Sequence, residues 1–186
     1  MNGQTNVKPL KVIVGAGGDQ QEGFISLDQY QLDITDLGQW ASLFYPNSID
    51  VILAEHVFEH LTPEGSFNAA RNFFFYLKSG GYARICVPDG LHPDQKYQAW
   101  VAPGTGWSGD SHKQLFDYQS LSRLLWTVGF TVYLREYWDE NGELHSSLWD
   151  EHGGRIKRCS RSMHSAIISM FVGADYTSLL VDAVRP

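Results

Sequence analysis

The apolar residues of this chain fall in short, nearly unbroken runs that each end on polar side chains, the pattern of parallel strands buried on both faces. The clearest case is Ile49 to Ala54, which runs into Glu55-His56-Val57-Phe58-Glu59-His60-Leu61. Thr62-Pro63-Glu64 then predicts a helix start, with a hydroxyl N-cap, proline at the first position and an acid in the first turn. Ala69, Phe73, Tyr76 and Leu77 follow at helical spacing, and Gly80 is expected to supply the left-handed residue that ends the helix. Tyr82 to Val87 is a second apolar run, closing on Pro88-Asp89. A strand, a helix and a strand in succession predict a parallel pair. Their carboxyl ends then gather the polar residues on one edge of a sheet, where open α/β sheets bind ligands.

The same reading extends along the chain. Lys11 to Val14 predicts a strand that runs into Gly15-Ala16-Gly17-Gly18, and Gly23 to Asp28 a second one ending in an acid. Asp33 to Asp36 forms another polar edge, with Asp36 capping a short helix through Trp40 and Phe44. Gly90 to Asp110 is a long irregular loop with a helical piece around Lys96 to Val101. Asp117 caps a helix over Ser120 to Val128 that stops at Gly129. Phe130 to Tyr137 is a strand, and Asn141-Gly142 a turn. Gly153 to Ser165 is polar and basic, and Tyr176 to Val184 closes the chain as a strand expected to insert antiparallel beside Phe130 to Tyr137. Only Gly18 to Gly23 separate the glycine loop from the second strand. A parallel crossover takes about a dozen residues or more, so the first helix is expected to be vestigial or absent.

Composition narrows the class. With 186 residues the chain is expected to form one domain, 1–186, that buries roughly 70% of its unfolded surface. A net charge of −7 with no long run of either sign argues against a nucleic-acid partner. Met1 to Lys8 lacks the apolar segment of a secretory signal, and the loosely apolar Ala166 to Ala174 is too short to cross a bilayer, so no membrane partner is expected. There are two cysteines, Cys86 in mid-strand and Cys159 in the basic segment. This usage fits a reducing, cytoplasmic compartment.

Taken in order, Gly15-Ala16-Gly17, Gly23 to Asp28, Asp50-Val51-Ile52 through Leu61, Leu77 to Gly81, His112 to Asp117, Leu121 to Phe130 and Tyr176 to Ala183 resemble the class I S-adenosylmethionine-dependent methyltransferases. The resemblance spans nearly the whole chain and is closest to a small bacterial branch with a Gly-Trp-Ile-Asn-Val-Asp-like strand and an Asp-x-Ile…His-Val-x-Glu-His-Leu block. It implies an α/β fold: a doubly wound, mostly parallel, seven-stranded Rossmann-like sheet with an antiparallel last strand. It implies S-adenosylmethionine as cofactor, cradled by Gly15, Ala16 and Gly17. Asp28 would hold the ribose, Asp33 or else Asp36 the adenine amine, and Ile34 the ring. Glu55 and His56 would line the methionine side. A small-molecule acceptor would sit under the loop of Gly90 to His112, with His56 and His112 as catalytic candidates and Trp107, His112 and Arg158 as substrate contacts. A homodimer is left open. One departure stands out, since Ile13 occupies the place where the first strand of the family usually carries an acid.

Two other readings compete. The missing acid and shortened first crossover also suit a methyltransferase-fold binding protein without turnover. His56-Val57-Phe58-Glu59-His60 spells the His-x-x-Glu-His pattern of a zinc hydrolase. That chemistry needs both imidazoles one turn apart on a formed helix, whereas here the helix starts at Thr62; no resident metal is expected.

Overall fold

A computed structural model describes residues 8–105 and 108–186. Its centre is a sheet of seven strands among the described residues: β1 (Lys11–Val14), β2 (Phe24–Leu27), β3 (Ile49–Glu55), β4 (Leu77–Pro88), β5 (Thr131–Trp138), β6 (Leu144–Ser146) and β7 (Ser178–Val184). The spatial order is β2-β1-β3-β4-β7-β5-β6. β1 pairs parallel with β2 and β3, and β3 with β4. β7 inserts antiparallel between β4 and β5, pairing Leu180 with Cys86 and with Glu136. The last strand therefore lies beside Phe130 to Tyr137 as expected, and beside β4 as well. The seventh strand is β6, the exposed return arm of a hairpin that carries no apolar pattern. Its turn is set by Asp139, whose Oδ1 accepts from Asn141 N and Glu143 N at 2.9 Å each.

Helices cover both faces. α1 (Leu37–Leu43) is capped by Asp36, which accepts from Gly38 N and Gln39 N, and α2 (Pro63–Tyr76) by Thr62, which accepts from Gly65 N. They meet where Trp40 stacks on Tyr76 at 5.1 Å and meets the edge of Phe73 at 5.7 Å. α3 (Gln95–Val101) follows β4, and α4 (Tyr118–Val128) opens on a capping box at Asp117 and stops at Gly129, φ +116°. One expectation is corrected: α2 ends at Tyr76, and Gly80 lies inside β4. Leu77 is already extended and pairs with Ile49, and the register then shifts between Ile49 and Val51. Gly80, φ +78°, lies in the shifted stretch, its N–H donating to Arg185 O at 2.8 Å. A second correction concerns the region after the basic segment, where α5 (Met163–Val172) forms, capped by Ser162 and ended by Gly173 in the left-handed region. No helix among the described residues is long and apolar enough to cross a membrane.

β1 and β2 are joined by turns alone, through Asp19 N to Ala16 O and Phe24 N to Gln21 O. The sheet face over this short crossover is covered by residues 149–159, where Trp149, Ile156 and Cys159 pack on Ile13, Leu53, Cys86 and Leu180. Arg84, fully buried in β4, ties this strap down. Its Nε and Nη2 donate to Asp182 at 2.7 and 3.0 Å, and its Nη1 donates to Asp150 O and Gly154 O at 2.8 and 2.6 Å. Gln21 pairs with the backbone of Arg155 in both directions at 2.8 Å. A distant piece of chain thus covers the sheet beside the shortened crossover, and this orders the glycine loop.

Candidate active site

Two clefts share Gly15, Gly17, His56 and His60 and together make one trough along the carboxyl ends of β1, β2 and β3. One half, about 710 Å³, is lined by Asp28, Leu32, Asp33 and Ile34 among others. The other, about 610 Å³, is lined by Glu55, Trp100, His112, Arg158, His164 and Tyr176 among others. Each is within the usual range for small-molecule sites.

The first half is built on glycines in backbone states other residues avoid. Gly15 (φ +58°) passes so close to Val57 that a Cβ would lie 2.6 Å from its Cγ2, while Gly17 (φ +54°) faces open space. Asp28 fixes this loop by accepting from Gly17 N at 2.7 Å. A methyltransferase domain family model matches residues 11–134, the stretch that carries this loop, Asp28 and the His56–His60 block. The chain belongs to the S-adenosylmethionine-dependent methyltransferases. Solved structures agree on the fold. A methyltransferase from Archaeoglobus fulgidus is 14% identical with a TM-score of 0.55, covering 96% of this chain and 86% of its own. One from Mesorhizobium loti is 11% identical with a TM-score of 0.56, covering 96% and 91%. At such identity the likeness establishes the fold alone. A search of curated proteins finds no significant match.

The residues present in the methyltransferase fit its cofactor. The backbone at Gly15 and Gly17 leaves a cradle that side chains would obstruct or strain, Ala16 lines the trough beside them, and a carboxylate stands at the end of β2. Ile34 lies in the same wall, its backbone oxygen held by Trp40 Nε1 at 3.0 Å and Asn72 Nδ2 at 2.9 Å. Asp33 reaches the trough, yet its Oδ1 also accepts from Thr35 N and Oγ1 at 2.9 and 2.8 Å, a local turn bond. Ile13 is buried under the strap rather than presented to the loop.

Glu55 lines the trough and is also bonded to the strap. Its carboxylate accepts from Lys157 N and Arg158 N, at 2.7 Å for the latter, so it clamps the strap to the end of β3. Arg158 lines the second half of the trough with its Nη1 3.6 Å from Glu55. Lys157 pairs with Asp19 at 2.5 Å. Trp107 lies outside the described residues.

The second half of the trough centres on a residue that sequence reasoning left as a motif letter. Glu59 is 0% exposed, and its carboxylate is bonded to no backbone N–H or hydroxyl among the described residues; its neighbours are imidazoles. His56 Nδ1 lies 3.1 Å from its Oε1, and His60 Nε2 and His112 Nε2 each 4.0 Å away. Burial opposes the charge of Glu59, but His56 and then His60 outweigh it, holding the carboxyl below its ordinary value. Burial likewise pushes His112 below its ordinary value. His56 sits at φ +55°, a left-handed state rare outside glycine, and its Nε2 meets Ser178 Oγ at 3.0 Å. Both its nitrogens are engaged, so it positions Glu59. Residues 58–60 form a 3-10 turn, and the helical arrangement a zinc hydrolase requires is not formed.

Proposed function

We propose that this methyltransferase methylates an oxygen or nitrogen of a small molecule held in the histidine-lined half of the trough. The observation that carries the reading is the continuity of the two halves through Gly15, Gly17, His56 and His60, which would bring acceptor and cofactor together in one channel. S-adenosylmethionine, when bound, supplies a methyl group on a sulfonium, whose bond to carbon breaks as the bond to the acceptor forms, leaving a neutral thioether. Asp28 holds the ribose hydroxyls, and Ile34 with Leu32 gives the adenine an apolar wall. Glu55 and Arg158 shape the junction between the halves, and alignment of the reacting atoms supplies most of the rate. His112 takes the acceptor's proton at Nε2, and Glu59 stabilises the imidazolium that results. Two free, buried cysteines suit a reducing cytoplasm.

Calorimetric titration with S-adenosylhomocysteine tests the reading. One-to-one micromolar binding that Asp28→Ala weakens at least 100-fold is the expected result. Equal affinity in the variant would sink the assignment of Asp28. A second reading, binding without turnover, draws on Ile13; tight binding with no methylation across an acceptor screen would favour it.

A further inference from the structure

Three possible metal-ligating side chains, Glu59, His60 and His112, converge beside the trough. His60 Nδ1 lies 3.2 Å from Ser111 O, and His112 Nδ1 2.7 Å from Val101 O. A carbonyl accepts only, so both Nδ1 atoms donate, which leaves Nε2 as the inward-facing nitrogen of each ring and, in the neutral tautomer, as an electron-pair donor to a metal. Both Nε2 atoms face the Glu59 carboxylate at 4.0 Å, too far for a hydrogen bond. The three ligating atoms all lie within 4.8 Å of one another. Two imidazole nitrogens and a buried carboxylate turned towards one point are the donor set of a cation site. Imidazoles oriented by backbone carbonyls on their other nitrogen are the usual support of metal ligands.

The arrangement is also held in place. Lys113 N donates to Glu59 O at 2.8 Å, and Gln114 Nε2 donates to Phe58 O, Leu61 O and Ser66 Oγ. These bonds fasten the segment carrying His112 to the turn carrying Glu59 and His60. We propose that Glu59, His60 and His112 form a binding site for a divalent first-row transition metal, with His56 holding Glu59 in place and the remaining positions open to the trough. Ligands at about 2.1 Å from such an ion stand roughly 3.0–3.4 Å apart, so the three donors close by about 1 Å on binding. Two imidazoles and one carboxylate select zinc, cobalt, nickel or iron over magnesium and calcium. The open positions take an oxygen of the acceptor, a hydroxyl or a carboxylate. That role, unlike the site itself, rests on the methyl-transfer reading. With the ion bound His112 is a ligand and the acidified acceptor loses its proton to water in the open trough.

The test uses the full chain, freed of metal, in a His145→Ala background, because Asp139, Glu143 and His145 form a second, exposed group that could bind ions. Zinc is followed by calorimetry and cobalt by its visible absorption. One ion per chain with micromolar or tighter affinity is expected, unaffected by millimolar magnesium. Glu59→Gln and His112→Ala should each weaken it at least 100-fold while S-adenosylhomocysteine still binds. Should a variant lose both ligands, the wild-type chain decides: zinc is expected to protect His60 from diethylpyrocarbonate while the exposed His164 reacts at an unchanged rate. Absent binding at millimolar zinc, undiminished affinity in the variants, or unprotected His60 would each overturn the site. Those failures leave His112 as the base, whereas loss of the methyl-transfer reading would show as absent S-adenosylhomocysteine binding with the metal retained.

Discussion

The two halves of the trough use the same kinds of side chain in opposite ways. In the half proposed for the cofactor the lining carboxylates are already bonded: Asp28 to Gly17, Asp33 to Thr35, and Glu55 at the junction to the backbone of Lys157 and Arg158. Beside the histidine half Glu59 is more deeply buried than any of these, and among the described residues its carboxylate faces imidazoles, His56 at 3.1 Å and His60 and His112 at 4.0 Å, with Oε2 left without a partner. Satisfied carboxylates hold backbone in place and leave the shape of the cleft to do the binding. An unsatisfied one keeps its interaction energy available to whatever enters. On the proposed reading the difference separates residues that build the site from residues that act in it, with Glu59 standing behind the His56 and His60 that line the trough.

The comparison breaks most visibly at the strap. Trp149→Ala removes a buried ring that packs on Ile13 and Leu53 and meets the Arg161 guanidinium at 3.7 Å. A loss of about 3–5 kcal/mol is expected in chemical unfolding, together with weakened S-adenosylhomocysteine binding as the glycine loop loses its cover. Glu55→Gln is gentler, because it keeps one acceptor oxygen for the Lys157 and Arg158 N–H groups. It should cost about 1–2 kcal/mol and weaken cofactor binding about 10-fold. Cobalt absorption should not change. A variant that kept cofactor affinity and lost the cobalt signal would reverse the assignment of the two halves.

The halves also differed in how far the sequence revealed them. Glycines, strand-end acids and N-caps are local signals, and they located β1 to β3, the caps at Asp36, Thr62 and Asp117, and the residues proposed to hold the cofactor. The cover over the short crossover was invisible, because it comes from residues far along the chain, 134 positions away in the Gln21–Arg155 contact and 70 in Arg84–Gly154. α5 was missed since its exposed Met163, Met170 and Phe171 give no one-sided apolar stripe. Glu59 and His112 were each legible as polar residues at a sheet edge. Their convergence was not, because it depends on the left-handed turn at His56 and on the Lys113–Glu59 backbone bond.

The last test concerns a carboxylate between the two classes, buried like Glu59 yet bonded like Asp28. Asp89, at the end of β4, accepts from Leu91 N at 2.9 Å and Trp138 N at 2.8 Å, and burial still pushes its pKa up to about 6. A folded value above the unfolded 3.8 means that the folded chain binds this proton more tightly. The resulting stability is fully present below about pH 4 and lost as pH rises through 6, an effect of up to about 3 kcal/mol. Asp89→Asn does not titrate and sets an amide against one N–H, a cost of about 1–3 kcal/mol at every pH. Its destabilisation relative to the wild type, measured by urea unfolding, should therefore be larger at pH 4.5 than at pH 7.5. A difference that stays flat with pH would mean that two N–H bonds fully offset burial at Asp89. The absence of such bonds would then be what sets Glu59 apart, with its depth in the fold adding little.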